Sequence, residues 1–166
     1  MIFITDRFRI YTNEDVRGVE LGGSLKNIIA IACGISQGLG FGTNTMAALL
    51  SRGLAEMARL GRAMGAHGST FSGISGLGDL VTTCVSPYSR NRFVGVQIGQ
   101  GRSLRQIQSK MRMVAEGVPT TKSAYALGKK YKVDLPITRE VYNVLYRHKS
   151  PLRGFADLMA RKKKEE

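Results

Sequence analysis

Two isolated charges are the first residues in this sequence that could do chemistry. Lys26 is the only formally charged residue between positions 20 and 52, and Asp79 is the only one between positions 62 and 90. A charged side chain in apolar surroundings costs free energy unless it is paired or reaches solvent. Burial lowers the pKa of a lysine and a nearby carboxylate raises it. A lysine balanced in this way can exchange a proton with a bound molecule.

From spacing alone, a structural role is favoured over a chemical one for both Lys26 and Asp79. Lys26 and Asp79 could form a buried ion pair without chemistry. Alternatively, Lys26 extends its ammonium to solvent while Asp79, which follows Gly78, caps a helix.

A second candidate site lies at residues 89–92, where Ser89, Arg90, Asn91 and Arg92 begin a predicted helix after a proline-containing turn. Free backbone N–H groups, the helix dipole and guanidinium groups together bind anions. The alternative is an ordinary solvated helix start. The glycine fingerprint of dinucleotide-binding folds, which must follow a strand, is absent from these residues.

The charge balance points to anionic partners, since 25 basic residues against 12 acidic ones give a net charge of +13. Nucleic acid, an anionic membrane and phosphorylated metabolites all fit this balance. No basic stripe interleaved with aromatic residues supports nucleic-acid binding. The basic run at residues 161–164 is interpreted as a solvated tail. We expect no nucleic-acid partner.

No residues stand at the spacing of a metal site. His67 and His148 are isolated in the sequence, and we expect both at the surface. Cys33 and Cys84 lie in apolar stretches and are predicted to be buried, reduced thiols. Reduced cysteines are typical of a cytoplasmic protein, which is the expected location.

The elements that must position these residues are mostly helices. Residues 8–12 alternate as in a strand, but the chain offers this strand no partner. Helices are predicted from Val16 after an Asp15 cap, over residues 43–64, 79–85, 89–99 and 120–131, and from Pro136 and Pro151, with a capping box at Ser103. Residues 28–50 contain polar residues and four glycines, which argues against a membrane span. The predicted fold class is all-α with one orphan strand.

The order of several motifs resembles NAD(P)-dependent glycerol-3-phosphate dehydrogenases over residues 8–151. The resemblance rests on the segments Phe8-Arg9-Ile10-Tyr11-Thr12-Asn13, Gly22-Gly23-Ser24-Leu25-Lys26-Asn27, Arg52-Gly53-Leu54-Ala55-Glu56-Met57, Gly76-Leu77-Gly78-Asp79-Leu80-Val81-Thr82-Thr83, Ser89-Arg90-Asn91-Arg92 and Val114-Ala115-Glu116-Gly117-Val118. Several motifs in the correct order are far more specific than any one of them. The resemblance implies a helical domain similar to the C-terminal domain of 6-phosphogluconate dehydrogenase.

The resemblance also implies roles for individual residues. Lys26 matches the catalytic lysine that exchanges the proton at the C2 oxygen when dihydroxyacetone phosphate and sn-glycerol 3-phosphate interconvert. The implied substrate-binding residues are Lys26, Asn27, Asp79, Thr83, Ser89, Arg90 and Asn91. The positions that match cofactor contacts, for NAD or NADP, are Arg90, Val114 and Glu116. No metal is implied.

The resemblance covers one half of such enzymes. Family members carry a Rossmann domain, with the pyrophosphate-binding glycines and a further substrate-contacting lysine, before the position of Phe8. We therefore expect residues 1–14 to be the remnant of the last strand of that sheet and residues 15–166 to be the helical substrate-binding domain. The isolated chain is expected to be weakly active or inactive, to need a Rossmann domain in cis or in trans, and to form a homodimer.

Three functions remain open from the sequence. The first is the substrate-binding half of a dehydrogenase that supplies precursor for glycerophospholipid synthesis. The second is a catalytically silent helical dimerisation module derived from this family. The third, the least favoured, is a basic protein that binds nucleic acid or a membrane surface.

Overall fold

The computed structural model describes residues 4–161. In it, one long helix, α1 (Val16–Gly38), is surrounded by shorter helices. The others are α2 (Thr43–Ala63), α3 (Asp79–Val85), α4 (Arg90–Gly99), α5 (Leu104–Gln108), α6 (Gly117–Lys130), α7 (Pro136–Tyr146) and α8 (Pro151–Met159), with a 3₁₀ helix (Gly68–Ser72) and a π-helical turn (Ile74–Gly78) between α2 and α3. The all-α fold class is confirmed.

The predicted cap of α1 is confirmed. The Asp15 carboxylate accepts hydrogen bonds from the backbone N–H of Gly18 (2.9 Å) and of His67 (2.8 Å), and from the hydroxyl of Thr70 (2.7 Å). These donors, with the Thr70 hydroxyl the strongest, hold the pKa of Asp15 below its ordinary value of 3.8. One carboxylate thus caps α1 and fixes the 3₁₀ helix against its start.

Helix α1 is the core helix, and it packs against α2, α3, α4 and α6. Its length and apolar composition would also suit a membrane crossing, but 61% of its apolar window is buried inside the domain. The apolar stretch at residues 28–50 does not form one continuous helix, because a turn at residues 39–42 separates α1 from α2. Packing by neighbouring helices therefore accounts for the apolar composition.

Helices α1 and α4 run parallel with their backbones in contact. A methyl group added at Gly34 would lie 2.2 Å from the Arg92 carbonyl oxygen, and one at Gly95 would lie 2.1 Å from the Ile31 carbonyl oxygen. Gly38 and Gly99 repeat this arrangement one turn later. The four glycines have G-x-x-x-G spacing on each helix, which places them on one face and lets the helices approach closely.

The start of α7 is capped from another helix. Glu56 of α2 is 3% exposed, and its carboxylate accepts hydrogen bonds from the backbone N–H of Ile137, the backbone N–H of Thr138 (3.2 Å) and the Thr138 hydroxyl (3.1 Å). Burial outweighs these donors and raises the pKa of Glu56 to about 7. Glu56 therefore replaces a local cap at a helix whose own N-cap residue, Leu135, provides none.

Two predictions about elements were wrong. The strand predicted over residues 8–12 is not formed, and the only β-type pairing in residues 4–161 is an isolated bridge between Thr5 and Phe8. A strand needs a hydrogen-bonded partner, and the described chain supplies none. Helix α6 begins at Gly117 rather than at Thr120, because its first N–H group is bound by Asn91, 26 residues earlier in the chain.

Candidate functional site

Lys26 and Asp79 form a hydrogen-bonded ion pair between α1 and α3. The Lys26 side chain is 19% exposed and the Asp79 side chain 38% exposed, so both charged groups remain accessible. Asp79 is the first residue of α3, and its side chain caps no backbone N–H group in residues 4–161. The helix-capping interpretation of Asp79 was therefore wrong, because the preceding π-helical turn already supplies helical backbone and Lys26 binds the carboxylate.

Thr83 lies one turn after Asp79 on the same face of α3. Its hydroxyl is 2.7 Å from the Asp79 carbonyl oxygen, to which it donates, and 3.5 Å from the Asp79 carboxylate oxygen Oδ1. The second carboxylate oxygen, Oδ2, is the one that binds Lys26. Thr83 thus lines the open side of the ion pair.

A chain of amide hydrogen bonds links three helices beside this pair. Asn27, next to Lys26 on α1, donates from Nδ2 to the Gly23 carbonyl (3.2 Å) and accepts at Oδ1 from Asn91 Nδ2 (2.8 Å). Asn91 in turn accepts at its own Oδ1 from the backbone N–H of Gly117 (2.8 Å). Since Asn91 is 8% exposed and both ends of its amide are engaged, this chain fixes α1, α4 and α6 relative to one another.

Gly117 is a residue whose role the sequence motifs left unassigned. A methyl group there would lie 2.7 Å from the Asn27 carbonyl oxygen and 2.8 Å from Asn91 Oδ1. The only local signal was a glycine directly after Glu116 at the start of an apolar run. Its function becomes visible only when the two asparagines are brought to it by folding.

The start of α4 carries the residues that were predicted to form an anion site. Ser89 is the N-cap, and its hydroxyl oxygen accepts from the backbone N–H of Arg92 (3.3 Å), while Arg90 is exposed. Arg92 points differently: its Nη1 is 3.5 Å from the Ser86 carbonyl oxygen and its Nε is buried without a partner among residues 4–161. Arg90 is therefore the guanidinium available to a ligand, and Arg92 packs against the turn that precedes the helix.

The segment before α6 carries Val114 and Glu116, the remaining residues that the resemblance matches to cofactor contacts. Val114 is 59% exposed and Glu116 is exposed, with its carbonyl accepting from the Thr120 hydroxyl (2.7 Å). Both flank Ala115, which is buried. The hydrogen bond from Gly117 to Asn91 fastens this segment to the start of α4, so the residues matched to cofactor contacts adjoin those matched to substrate contacts.

The described residues offer no metal-binding cluster and no exposed thiol. Residues 4–161 hold no cluster of three or more His, Cys, Asp or Glu that could bind a metal. Cys33 and Cys84 are buried free thiols, and the hydrogen bond between them, followed by burial, raises the pKa of Cys84. A buried thiol that stays protonated is a poor nucleophile, so Cys84 is not a candidate nucleophile.

Comparisons with known proteins identify the family of this chain. The family model described as the C-terminus of NAD-dependent glycerol-3-phosphate dehydrogenase matches residues 15–156. A glycerol-3-phosphate dehydrogenase (NAD(P)+) from Citrifermentans bemidjiense is 62% identical over 164 residues, which are 99% of this chain and 49% of that protein. The chain thus spans about half the length of the curated relatives it matches.

Solved structures show the same helical arrangement. The crystal structure of glycerol-3-phosphate dehydrogenase from Coxiella burnetii matches with a TM-score of 0.91 and 42% identity, over 95% of this chain and 49% of that one. The enzyme from Saccharomyces cerevisiae matches with a TM-score of 0.86 and 28% identity, over 96% and 46%. The chain belongs to the glycerol-3-phosphate dehydrogenase family and corresponds to the helical C-terminal domain of its members.

Proposed function

We propose that this chain is the substrate-binding and proton-transfer half of an NAD(P)-dependent glycerol-3-phosphate dehydrogenase. The reaction is the reversible interconversion of dihydroxyacetone phosphate and sn-glycerol 3-phosphate, a precursor of glycerophospholipids. The observation that carries the proposal is the accessible Lys26–Asp79 pair, placed beside the linked starts of α4 and α6. Structural ion pairs need no access, whereas a proton donor must reach its substrate.

Lys26 is assigned the proton transfer. When hydride reaches C2 of the ketone, negative charge develops on the C2 oxygen, and a nearby ammonium group stabilises that charge and donates a proton to it. The Asp79 carboxylate accepts a hydrogen bond from the Lys26 ammonium group and orients it before the reaction. Thr83 and Asn27 provide polar groups next to this pair. In the reverse direction Lys26, once neutral, accepts the proton of the C2 hydroxyl.

The start of α4 is assigned the phosphate group. Backbone N–H groups at a helix N-terminus and a guanidinium group bind phosphate oxygens through short, charge-assisted hydrogen bonds. Ser89, Arg90 and Asn91 provide this combination, and the Asn27–Asn91 hydrogen bond ties it to the helix that carries Lys26. The phosphate is thus bound by α4 while the carbonyl end of the substrate faces α1.

Arg90, Val114 and Glu116 are assigned to the cofactor side of the site. When bound, the nicotinamide ring of NAD or NADP supplies the hydride or accepts it. The exposed side chain of Val114 suits an apolar contact with a flat ring, and exposed Arg90 suits a cofactor phosphate. The remaining cofactor contacts require a Rossmann domain in cis or in trans. On this proposal, the isolated chain has little or no activity, acts in the cytoplasm and forms a homodimer.

The proposal is tested by reconstitution. The 166-residue chain is mixed with the separately expressed Rossmann half of the Citrifermentans bemidjiense relative, and NADH oxidation by dihydroxyacetone phosphate is followed by absorbance. We expect activity with both halves and little with either alone. Lys26→Ala should abolish this activity, whereas Lys122→Ala, an exposed lysine of α6, should leave it unchanged.

Two results would contradict the proposal in different ways. Activity that survives Lys26→Ala would remove the proton-transfer role of Lys26. If both halves are folded and associate but give no activity, the chain acts instead as a silent helical module.

A further inference from the structure

A cavity of about 300 Å³ lies between α4 and α5, outside the residues assigned to substrate or cofactor. Its volume is at the lower end of the range for small-molecule sites. Phe93 and Gln97, one turn apart on α4, form one wall, and Arg102 lies in the following turn. Gln106 of α5 and Lys110, which follows α5, also line the cavity.

The charge around this cavity is uniformly positive. Arg102 and Lys110 line it, and none of its lining residues carries a carboxylate. No aspartate or glutamate occurs between Asp79 and Glu116, whereas the same stretch contains the basic residues Arg90, Arg92, Arg102, Arg105, Lys110 and Arg112. Among residues 4–161 the Lys110 ammonium has no hydrogen-bond or ion-pair partner. The like charges repel one another, so an anion between them is favoured.

Hydrogen bonds within the domain orient two donor groups of the cavity, the Arg102 guanidinium and the Gln106 amide. Gln97 is 9% exposed, and its Oε1 accepts from the Arg102 guanidinium, which fixes that group at the wall. Gln106 uses its Oε1 for the capping box, where it accepts from the backbone N–H (2.9 Å) and the hydroxyl (3.0 Å) of Ser103. Its Nε2 group is therefore left to donate. Pre-ordered donors lower the entropic cost of binding an acceptor-rich ligand.

The rest of the lining is apolar. Phe93 is 46% exposed, Met111 is partly buried, and Ile107 is a buried wall residue of α5. An aromatic ring beside a flexible thioether accommodates a small apolar or aromatic group. A bare inorganic anion would leave this part of the cavity unused.

We propose that the cavity between α4 and α5 binds a phosphate monoester that carries a small apolar or aromatic group. The phosphate lies between Arg102 and Lys110 and accepts from Gln106, while its organic group contacts Phe93 and Met111. Two cations without a carboxylate favour a dianion over a singly charged carboxylate. The proposal does not depend on the function assigned to Lys26.

The experiment is a titration of the ¹⁵N-labelled 166-residue chain followed by NMR. Phenyl phosphate is the probe, and inorganic phosphate, benzoate and phenol are the comparison ligands. We expect phenyl phosphate to shift the side-chain amide signals of Gln97 and Gln106 with a Kd of roughly 1 mM or below. Inorganic phosphate and benzoate should bind at least several-fold more weakly, and phenol should not shift these signals.

Two double variants, each of which removes two positive charges, separate binding in the cavity from general attraction by charge. Arg102→Gln/Lys110→Gln removes the two cations of the cavity, and we expect at least 10-fold weaker binding of phenyl phosphate. Arg105→Gln/Arg112→Gln removes two exposed cations of the same segment that do not line the cavity, and it should bind as the wild type does.

Several outcomes would overturn the proposal. Equal weakening in both double variants would mean that general positive charge attracts the probe. Tighter binding of benzoate would exclude the phosphate preference, and equal binding of inorganic phosphate would exclude the apolar contact. Shifts confined to the backbone of residues 89–91, lost in Arg90→Gln, would assign the probe to the proposed substrate site. If the cavity variants do not fold, the wild-type shift map decides between these locations.

Discussion

Glu56 and Asp79 are two hydrogen-bonded carboxylates of this helical domain, and they differ in their exposure to solvent. Glu56 is 3% exposed and accepts from three donors that all belong to the start of α7. Asp79 is 38% exposed and binds Lys26 through Oδ2, while its other oxygen, Oδ1, lies 3.5 Å from the Thr83 hydroxyl. The carboxylate that caps a helix is enclosed, whereas the one that the proposed function assigns to the substrate site keeps an open side.

The largest effect on the free energy of unfolding is expected from Glu56→Ala. This change leaves three buried donors at the start of α7 without an acceptor and opens a cavity, which should cost about 4 kcal/mol. Urea unfolding followed by circular dichroism at pH 7 measures it. Glu20→Ala, an exposed glutamate of α1, is the control and should change stability by less than about 0.5 kcal/mol. A Glu56 effect as small as that of the control would mean that α7 needs no cap.

The second-largest effect is expected in how the free energy of unfolding changes with pH, because Glu56 titrates. Its pKa is about 7 in the folded chain and 4.5 as an ordinary value, so the folded state holds the proton more tightly than the unfolded state. The resulting stabilisation is fully present below pH 4.5 and is lost as the pH rises through about 7. It amounts to about 3 kcal/mol.

Urea midpoints between pH 4 and pH 9 test this dependence. In Glu56→Gln the fall between pH 4.5 and pH 8 should disappear. Asp15 has a lowered pKa, so its contribution is lost in a separate window, as the pH falls below 3.8. An unchanged profile in Glu56→Gln would show that another group titrates in this range.

Gly117→Ala should have an intermediate effect. The added methyl group must displace Asn27 or Asn91, which weakens the hydrogen bonds that join α1, α4 and α6, at a cost of about 2 kcal/mol. Thermal unfolding measures the loss. Gly23→Ala on α1, where a methyl group meets nothing within 4 Å, is the control and should not destabilise the chain. Equal stabilities of the two variants would disprove the close approach at Gly117.

Asp79→Asn should change stability least, by less than about 1 kcal/mol, because a partly exposed ion pair contributes little. Its expected effect is on function, with a loss of about 100-fold in the activity of the reconstituted enzyme. Asp157→Asn removes a carboxylate that is 44% exposed and paired with Lys149, and it should leave activity unchanged. If Asp79→Asn were as destabilising as Glu56→Ala, the contrast between the two carboxylates would fail.

The sequence predicted the open carboxylate and not the enclosed one. Lys26 and Asp79 stood out because each was alone in an apolar stretch, and their pairing is confirmed. Glu56 lies between Arg52 and Arg59, a pattern typical of a solvated helix face. Its burial depends on where α7 packs, and no local pattern carries that information.

The same limit applies to the elements. Caps formed within a few residues, such as the Ser103 capping box, were predicted correctly because donor and acceptor are neighbours in the sequence. The start of α6 was placed three residues late because its first N–H group is bound by Asn91 of α4. Motif order, rather than spacing, supplied the roles of Ser89, Arg90, Val114 and Glu116, and those roles stay predictions.

The contact between α1 and α4 limits how close Lys26 and Arg90 can come, and so sets a minimum length for a molecule that binds both. Lys26 lies two turns before Gly34 on α1, and Arg90 lies little more than one turn before Gly95 on α4. Because the two backbones are already in contact, the distance between Lys26 and the helix start that is proposed to bind phosphate cannot shorten and can only lengthen. On the proposed function, substitution at these four glycines could therefore adapt the site only to substrates longer than a three-carbon phosphate.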